Sequence, residues 1–351
     1  MLRQTVIIGL SGGVDSSAAA FLLKEQGYSV IGVTMRLWPE SSEEAGLAAI
    51  EDARQVADTL NIPFHVLDFR SEFESDVITY FMDEYRNGRT PNPCVICNRR
   101  VKWTGLLQAA DRLGADFVAT GHYARVRKLD NGRFAVCRSA TDSKDQTYAL
   151  YNLTQEQLSR TLMPAGEYEK EQIREIAQSI GLHVAGKKDS QEICFIPDQD
   201  YNRYLEEHSP SPLPPQGNFV TAGGDVLGTH RGITHYTIGQ RKGLNLAMGR
   251  PVFVTALRPD TNEVVIGESE DLFTKKLVIR QVNFQALSSL AEPVRASGKI
   301  RYAHRGAPCI LTQTGPDEVE AVFEEPQRAI TPGQAAVFYQ RDAILCGGLI
   351  V

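Results

Sequence analysis

The chain has 351 residues, 37 Lys+Arg against 43 Asp+Glu (formal net charge −6), 42% hydrophobic and 23% charged residues. That is the balance of a globular protein of two or three domains, and it excludes a protein that coats nucleic acid through overall positive charge, though local basic patches remain open. No apolar run is long enough to span a bilayer, Met1-Leu2-Arg3-Gln4 leads into a strand-like run without a signal-peptide pattern, and six Cys are too few for a disulfide scaffold. The expectation is a cytoplasmic, reduced protein without a membrane partner, in which paired Cys read as metal-binding or catalytic.

Val6-Ile7-Ile8-Gly9-Leu10 reads as a strand buried on both faces, followed by a helix over Ser17–Glu25 and a second buried strand over Ser29–Thr34. Glu43–Leu60 carries apolar residues at helical spacing, Phe64–Leu67 is a third strand, Val101–Leu113 a helix and Asp116–Ala119 a strand ending at Thr120-Gly121-His122. This alternation predicts a parallel sheet covered by helices. Asp130-Asn131-Gly132 between two short runs signals a hairpin, and helices are expected around Thr154–Arg160 and Glu169–Ile180. The Pro-rich stretch Ser209–Pro215 marks a boundary, beyond which short strands predict a small β segment over 209–270 and a β-barrel over 271–351. The first domain is expected to cover 1–208.

Ser11-Gly12-Gly13-Val14-Asp15-Ser16 lies between the first strand and the first helix. Two Gly let the backbone turn its N–H groups inward, and the helix N-terminus adds partial positive charge, so the turn suits an anion such as pyrophosphate. Asp15 is a candidate Mg²⁺ ligand or orienter. No Gly-Lys-Ser/Thr follows, so this is not a Walker A loop. The string resembles the pyrophosphatase loop of ATP α-hydrolase-type enzymes, which cleave ATP between the α- and β-phosphates.

Further strings narrow the resemblance: Thr90-Pro91-Asn92-Pro93-Cys94-Val95-Ile96-Cys97-Asn98, then Lys188–Ile196 containing Cys194, Ala119–Ala124, Lys144–Tyr148, Tyr236–Leu244, Arg301-Tyr302 and Thr331–Tyr339. Together they resemble the bacterial tRNA-specific 2-thiouridylases over essentially the whole chain. The resemblance implies an α/β Rossmann-like ATP pyrophosphatase (adenine nucleotide α-hydrolase-like) domain, a small β segment and a C-terminal β-barrel. It implies adenylation of C2 of the wobble uridine and displacement of AMP by sulfur, with ATP and Mg as co-substrate, the tRNA anticodon stem-loop as substrate, and a sulfur donor such as a cysteine desulfurase or sulfur-relay protein. Cys97 would be the nucleophile and Cys194 the persulfide carrier, a pair able to form a disulfide. Gly9-Leu10-Ser11-Gly12-Gly13-Val14-Asp15-Ser16, Met35 and Gly121 would bind ATP. Asn92, Pro93, Cys94, His122, Lys144, Asp145, Gln146, Arg301, Tyr302 and Gln334 would meet the tRNA.

The residues fit that chemistry. Sulfur transfer needs a soft nucleophile, and two Cys can carry the sulfur and resolve the S–S bond. Arg99, Arg100 and Lys102 are placed to lower a nearby thiol pKa. Cys137, Cys309 and Cys346 read as small buried hydrophobes. Cys94 stands where the best-known members carry Asp, so Cys94, Cys97 and Cys194 also resemble the ligand trio of 4Fe–4S tRNA thiolases, with one iron left open for sulfide. Three acid-free basic runs, Arg86–Lys102, Val226–Arg250 and Arg295–Arg305, are candidate phosphate-binding faces. An amidating ATP pyrophosphatase and a non-catalytic RNA-binding protein with a metal centre are the alternatives.

Overall fold

In the computed structural model, which describes residues 3–37, 43–141, 143–187, 193–196 and 198–351 (of 43–45 the backbone alone), the apolar run Thr5–Gly9 forms β1, the central strand of a five-stranded parallel sheet. It pairs with β2 (Ser29–Arg36) on one side and, across a gap in sequence, with β4 (Phe117–Ala119) on the other; β3 (Phe64–Asp68) and Thr161–Leu162 form the edges. Successive side chains of β1 point to opposite faces, and both faces are covered. Val6 and Ile8 pack with α1 (Val14–Glu25), α2 (Glu43–Leu60) and the helix Lys170–Ser179, while Ile7 packs with Leu106, Ala109 and Ala110 of the helix Thr104–Leu113. All three β1 residues have no exposed area, which is why the run reads as continuously apolar. The strand order reverses between β1 and β4, so a crevice opens at the carboxyl ends of these two strands, the usual ligand site of open α/β sheets.

Beyond the parallel layer, four strands (Gly217–Val220, Val226–His230, Phe253–Arg258, Glu263–Gly267) form a small sheet. Six antiparallel strands between Phe273 and Ile350 then close on themselves, the first pairing with the last through Ile279 and Ile350. Closure removes the free edges an open antiparallel sheet would carry. The expected hairpin forms from Arg125–Lys128 and Phe134–Cys137, and it hangs on the barrel: Cys137 pairs with Ala343 of the last barrel strand. Gln285, fully buried, ties the same hairpin in, accepting from Val136 N–H and donating to the Leu150 and Tyr151 carbonyls.

Two local differences from the sequence reading bear on the site. The expected helix from Val101 starts earlier and is not uniform: a short helix Pro93–Ile96 widens into a π-helical stretch Cys97–Trp103 before the regular helix Thr104–Leu113. Such wide turns leave no periodic signature and often mark functional sites. The helix Tyr201–His208, capped by Asp200, was not expected, being too short for its period to stand out.

Candidate active site

The phosphate loop leaves β1 and turns into α1 without a side-chain cap on the helix. Its first N–H groups are therefore open toward an incoming anion, and the helix dipole favours negative charge there. Gly12 has φ +67°, and a Cβ on it would stand 2.5 Å from the Ala49 carbonyl of α2. The hydroxyls lock the turn from inside: Ser16 Oγ accepts from Ser11 N–H at 3.2 Å, and Ser17 Oγ donates to Gly13 O at 2.7 Å. Gly9, Leu10 and Val14 are built into the surrounding core, where Leu10 N–H donates to Val33 O of β2. Met35, at the end of β2, packs beside Gly105 and Phe69.

Gly121 adjoins the loop from the other strand. A Cβ there would lie 2.4 Å from Ser16 N and 2.6 Å from Asp15 C, so the chain leaving β4 touches the backbone of the phosphate loop. Asp15 is not an open metal ligand. Both its oxygens accept from Lys170 Nζ, at 2.7 and 2.9 Å, and Oδ1 also accepts from Tyr123 Oη at 2.8 Å. Lys170 is only 4% exposed. Lys187 reaches the same loop, donating to Gly12 O at 3.1 Å and to Asp52 Oδ2 at 2.6 Å.

The residue after Gly121 opens the second half of the site. His122 packs on Trp103, ring centroids 5.5 Å apart, with Nδ1 2.9 Å from Thr120 Oγ1. Burial, with the charge of Lys102 nearby, pushes its pKa down to about 3, so it is a neutral imidazole. Lys102 itself is half-buried. Burial lowers its pKa, but the sulfurs of Cys97, Cys94 and Cys194 outweigh burial and hold the ammonium above its ordinary value. Cys97 is buried, and desolvation pushes its thiol up to about 12 against the opposing pull of Lys102. Cys194 stands at the rim, with Ile193, Phe195 and Ile196 packed in the same apolar cluster as Cys97; its thiol is raised by desolvation and lowered by Lys102. Cys94 is exposed. The first five residues of the Lys188–Ile196 string lie outside the described residues.

Among the described residues the six Cys are free thiols, and no three His, Cys, Asp or Glu side chains converge closely enough to hold a metal ion. The three thiols therefore share surroundings without forming the expected ligand trio as placed. Cys137, Cys309 and Cys346 are buried in the cores, as read from the sequence. Of the three basic residues expected to act on the thiols, only Lys102 does so: Arg99 donates to Asn152 Oδ1 and Arg100 pairs with Asp76 at 3.6 Å.

The residues expected at the tRNA divide in two. Tyr302, 49% exposed, lies edge-on to Tyr148 and close enough to Asp145, Cys94 and Lys144 to feel their charges. Those four therefore share one neighbourhood. Arg301 and Gln334 line a neighbouring cavity of about 300 Å³ with Thr90, Thr237, Gly239 and Arg328. Asp145, in addition, and Asn92 hold the backbone. Asp145 accepts from Ser139 N–H, Thr147 N–H and Thr147 Oγ1 and is buried; Asn92 caps Pro93–Ile96 by accepting from Cys94 N–H at 3.2 Å, with Pro93 as its first residue. Gln334 Nε2 donates to Thr90 O at 3.0 Å, tying the barrel to the Thr90–Cys97 segment. In the Arg86–Lys102 run, Arg86 donates to Ser211 and Pro212, Arg89 pairs with Glu84, and Lys102 faces the sulfurs, while Arg89 and Arg100 keep exposed side chains. Lys170, Tyr123 and Lys187 were not singled out from sequence. Lys170 and Tyr123 are buried beside the loop and Lys187 reaches it from an exposed position, and none of these placements is visible in the local sequence pattern.

This sheet order, phosphate loop and thiol pocket define a nucleotide-handling α/β enzyme of the HUP class with an appended β-barrel. Three family models match in succession: a "tRNA methyl transferase HUP domain" over 4–198, a "tRNA methyl transferase PRC-barrel domain" over 202–268 and an "Aminomethyltransferase beta-barrel domain" over 274–350. Proteins described as "tRNA-specific 2-thiouridylase MnmA" match along their length, that of Lachnoclostridium phytofermentans at 54% identity over 356 residues (99% of either chain) and that of Clostridium perfringens at 56% over 357 (100% of this chain, 99% of the relative). The chain belongs to the tRNA-specific 2-thiouridylase family. Among solved structures, a 4-thiouridine synthetase–RNA complex with bound ATP shares 16% identity at a TM-score of 0.36, covering 58% of this chain and 50% of the other.

Proposed function

We propose that the protein forms 2-thiouridine at the wobble position of tRNA in the cytoplasm, using ATP, with segments 1–208, 209–270 and 271–351 serving as the catalytic domain, a connecting β unit and an RNA-gripping barrel. One observation carries the reading. In the three residues Thr120-Gly121-His122, Gly121 touches the backbone of the Ser11–Ser16 loop and His122 feels the charge of Lys102, the same ammonium that feels Cys97, Cys94 and Cys194, which supports a base meeting both chemistries here. Gly9–Ser16, Met35 and Gly121 hold the nucleotide. Asp15, engaged by Lys170, orients the loop, and magnesium enters as part of the ATP complex.

The uridine C2 oxygen attacks the α-phosphorus, the bond to the β-phosphate breaks and pyrophosphate leaves. The terminal sulfur of a Cys194 persulfide, charged by an external sulfur donor, then bonds to C2 as the C–O bond to AMP breaks. Cys97 attacks Sγ of Cys194. The electron pair of that S–S bond stays on the sulfur at C2, giving 2-thiouridine and a Cys97–Cys194 disulfide that an external thiol reductant reopens. Lys102 supports the thiolate that attacks. A 4Fe–4S cluster on Cys94, Cys97 and Cys194 does not fit the thiols as placed. The test is pyrophosphate release from ATP with an anticodon stem-loop carrying uridine at the wobble position, followed by thiolation on a mercury-retention gel. Release that does not need the RNA refutes the reading.

A further inference from the structure

Tyr123 stands between the phosphate loop and the segment proposed to meet the RNA. Its Oη donates to Asp15 Oδ1 at 2.8 Å, in the first turn of α1. Its backbone is clasped from the other side: Tyr123 N–H donates to Gln146 Oε1 at 2.8 Å, and Gln146 N–H donates to Tyr123 O at 3.0 Å. The ring, 2% exposed, packs in one apolar cluster with Val14 and Ala18 of α1, and Lys170 Nζ lies 5.5 Å from its centroid while binding the same Asp15 carboxylate. A residue held at its backbone by Gln146 and at its hydroxyl by Asp15, with its ring fixed in the core, has little room to move alone. Displacement of the Lys144–Gln146 turn is therefore passed to Asp15 and to the helix start that receives phosphate. In the other direction, a bound triphosphate brings negative charge beside a carboxylate whose neutral donor is the Tyr123 hydroxyl.

We infer that Tyr123 is a positioning residue coupling occupancy of the Lys144–Gln146 turn by RNA to the geometry of the phosphate loop, so that tRNA and ATP assist each other's binding. The inference rests on the reading that tRNA lies against this turn. Energetic coupling travels through contiguous packed and hydrogen-bonded groups, and by linkage it is reciprocal.

The test uses the full chain, an unmodified tRNA transcript and an ATP analogue that cannot be cleaved between the α- and β-phosphates. The analogue's Kd is measured with and without tRNA, and the tRNA's Kd with and without the analogue. In the unaltered protein the two ratios should agree and fall within roughly 5–150-fold, the usual range of such coupling. Tyr123→Phe keeps the ring and removes the hydroxyl. It should bring both ratios to within about twofold of one while each ligand's affinity alone is preserved, a pattern that mere loosening of the fold would not produce. A ratio unchanged in Tyr123→Phe, or a ratio of one in the unaltered protein, overturns the coupling. Should Tyr123→Phe not fold, Gln146→Met removes the acceptor of Tyr123 N–H at the other end, and a retained ratio there overturns it equally. Failure of the unaltered protein to bind tRNA at all overturns the proposed function and the coupling together. Normal tRNA binding with an unchanged ratio overturns the coupling alone.

Discussion

Gly121→Ala tests the junction of the two half-sites by a single methyl group. The new Cβ would meet Ser16 N at 2.4 Å, Asp15 C at 2.6 Å and Ser16 Cα at 2.7 Å, all backbone atoms, whereas ordinary contact begins near 3.4 Å. No side-chain rotation relieves this, so the chain leaving β4 and the first turn of α1 must part by about 1 Å. Overpacking of this kind costs about 1–3 kcal/mol, which shifts Tm by several degrees. The larger effect is on geometry: a displacement of about 1 Å at a reacting centre can cost about a hundredfold in rate. Tm by calorimetry, ATP affinity and RNA-dependent pyrophosphate release are measured together, with the alkylation rate of exposed Cys94 as a control for the thiol side. Turnover should fall about a hundredfold in a protein still folded at assay temperature, with Cys94 unaffected. Release within a few-fold of the unaltered protein would show that the close approach of Gly121 to the loop has no bearing on catalysis.

Thiol reactivity follows from placement: at neutral pH iodoacetamide should label Cys94 first. Cys97, with its thiol about 12 against an ordinary value of 9.0, holds a roughly thousandfold smaller thiolate fraction, and equal labelling in peptide mass spectra would refute this. Because the folded state raises this pKa, its contribution to stability is complete below about pH 9 and is lost as pH climbs toward 12, so unfolding midpoints should fall over that interval more in the unaltered protein than in Cys97→Ala. Lys102→Met should depress sulfur transfer about 10–100-fold while sparing RNA-dependent pyrophosphate release, since the ammonium acts on the sulfurs; parallel loss of both steps would contradict that division. Arg301→Ala and Lys242→Ala should each weaken tRNA binding and lower the slope of log Kd against log salt by about 0.7–0.9; unchanged slopes would make both ordinary surface residues.

The parallel domain was legible because its signals are local and redundant. A doubly buried strand must be apolar throughout, and Val6-Ile7-Ile8 is; a tight strand-to-helix turn needs small residues, and Ser11–Ser16 supplies them. The attachment of the Arg125–Cys137 hairpin to the barrel was not legible, because the Cys137–Ala343 pairing joins positions more than 200 residues apart and leaves no local pattern. The partners of the basic residues were hidden for the same reason. Arg86 and Arg99 look like part of a phosphate face in sequence, and each also meets a carbonyl or amide brought in from elsewhere in the fold, Pro212 and Asn152. Asp15 shows the converse: its place in the loop was clear, but its partner Lys170 lies 155 residues away and was invisible.

Two lysines, Lys170 buried and Lys102 half-buried, show why these chemistries can sit side by side. A phosphate loop that bears a carboxylate and a pocket of three thiols both concentrate electron-rich groups, and neither tolerates an unpaired anion in a desolvated place. Each has its own ammonium: Lys170 on Asp15, Lys102 on the sulfurs. His122, which feels Lys102, is held neutral by burial and by that charge, so it adds no further cation near the sulfurs. Were His122 charged at neutral pH, a Cys97 thiolate would find a competing cation at the boundary of the two half-sites. Keeping the imidazole neutral leaves Lys102 as the cation that feels all three sulfurs, and the separation depends on one short stretch, Thr120-Gly121-His122, whose middle residue has no side chain to spare.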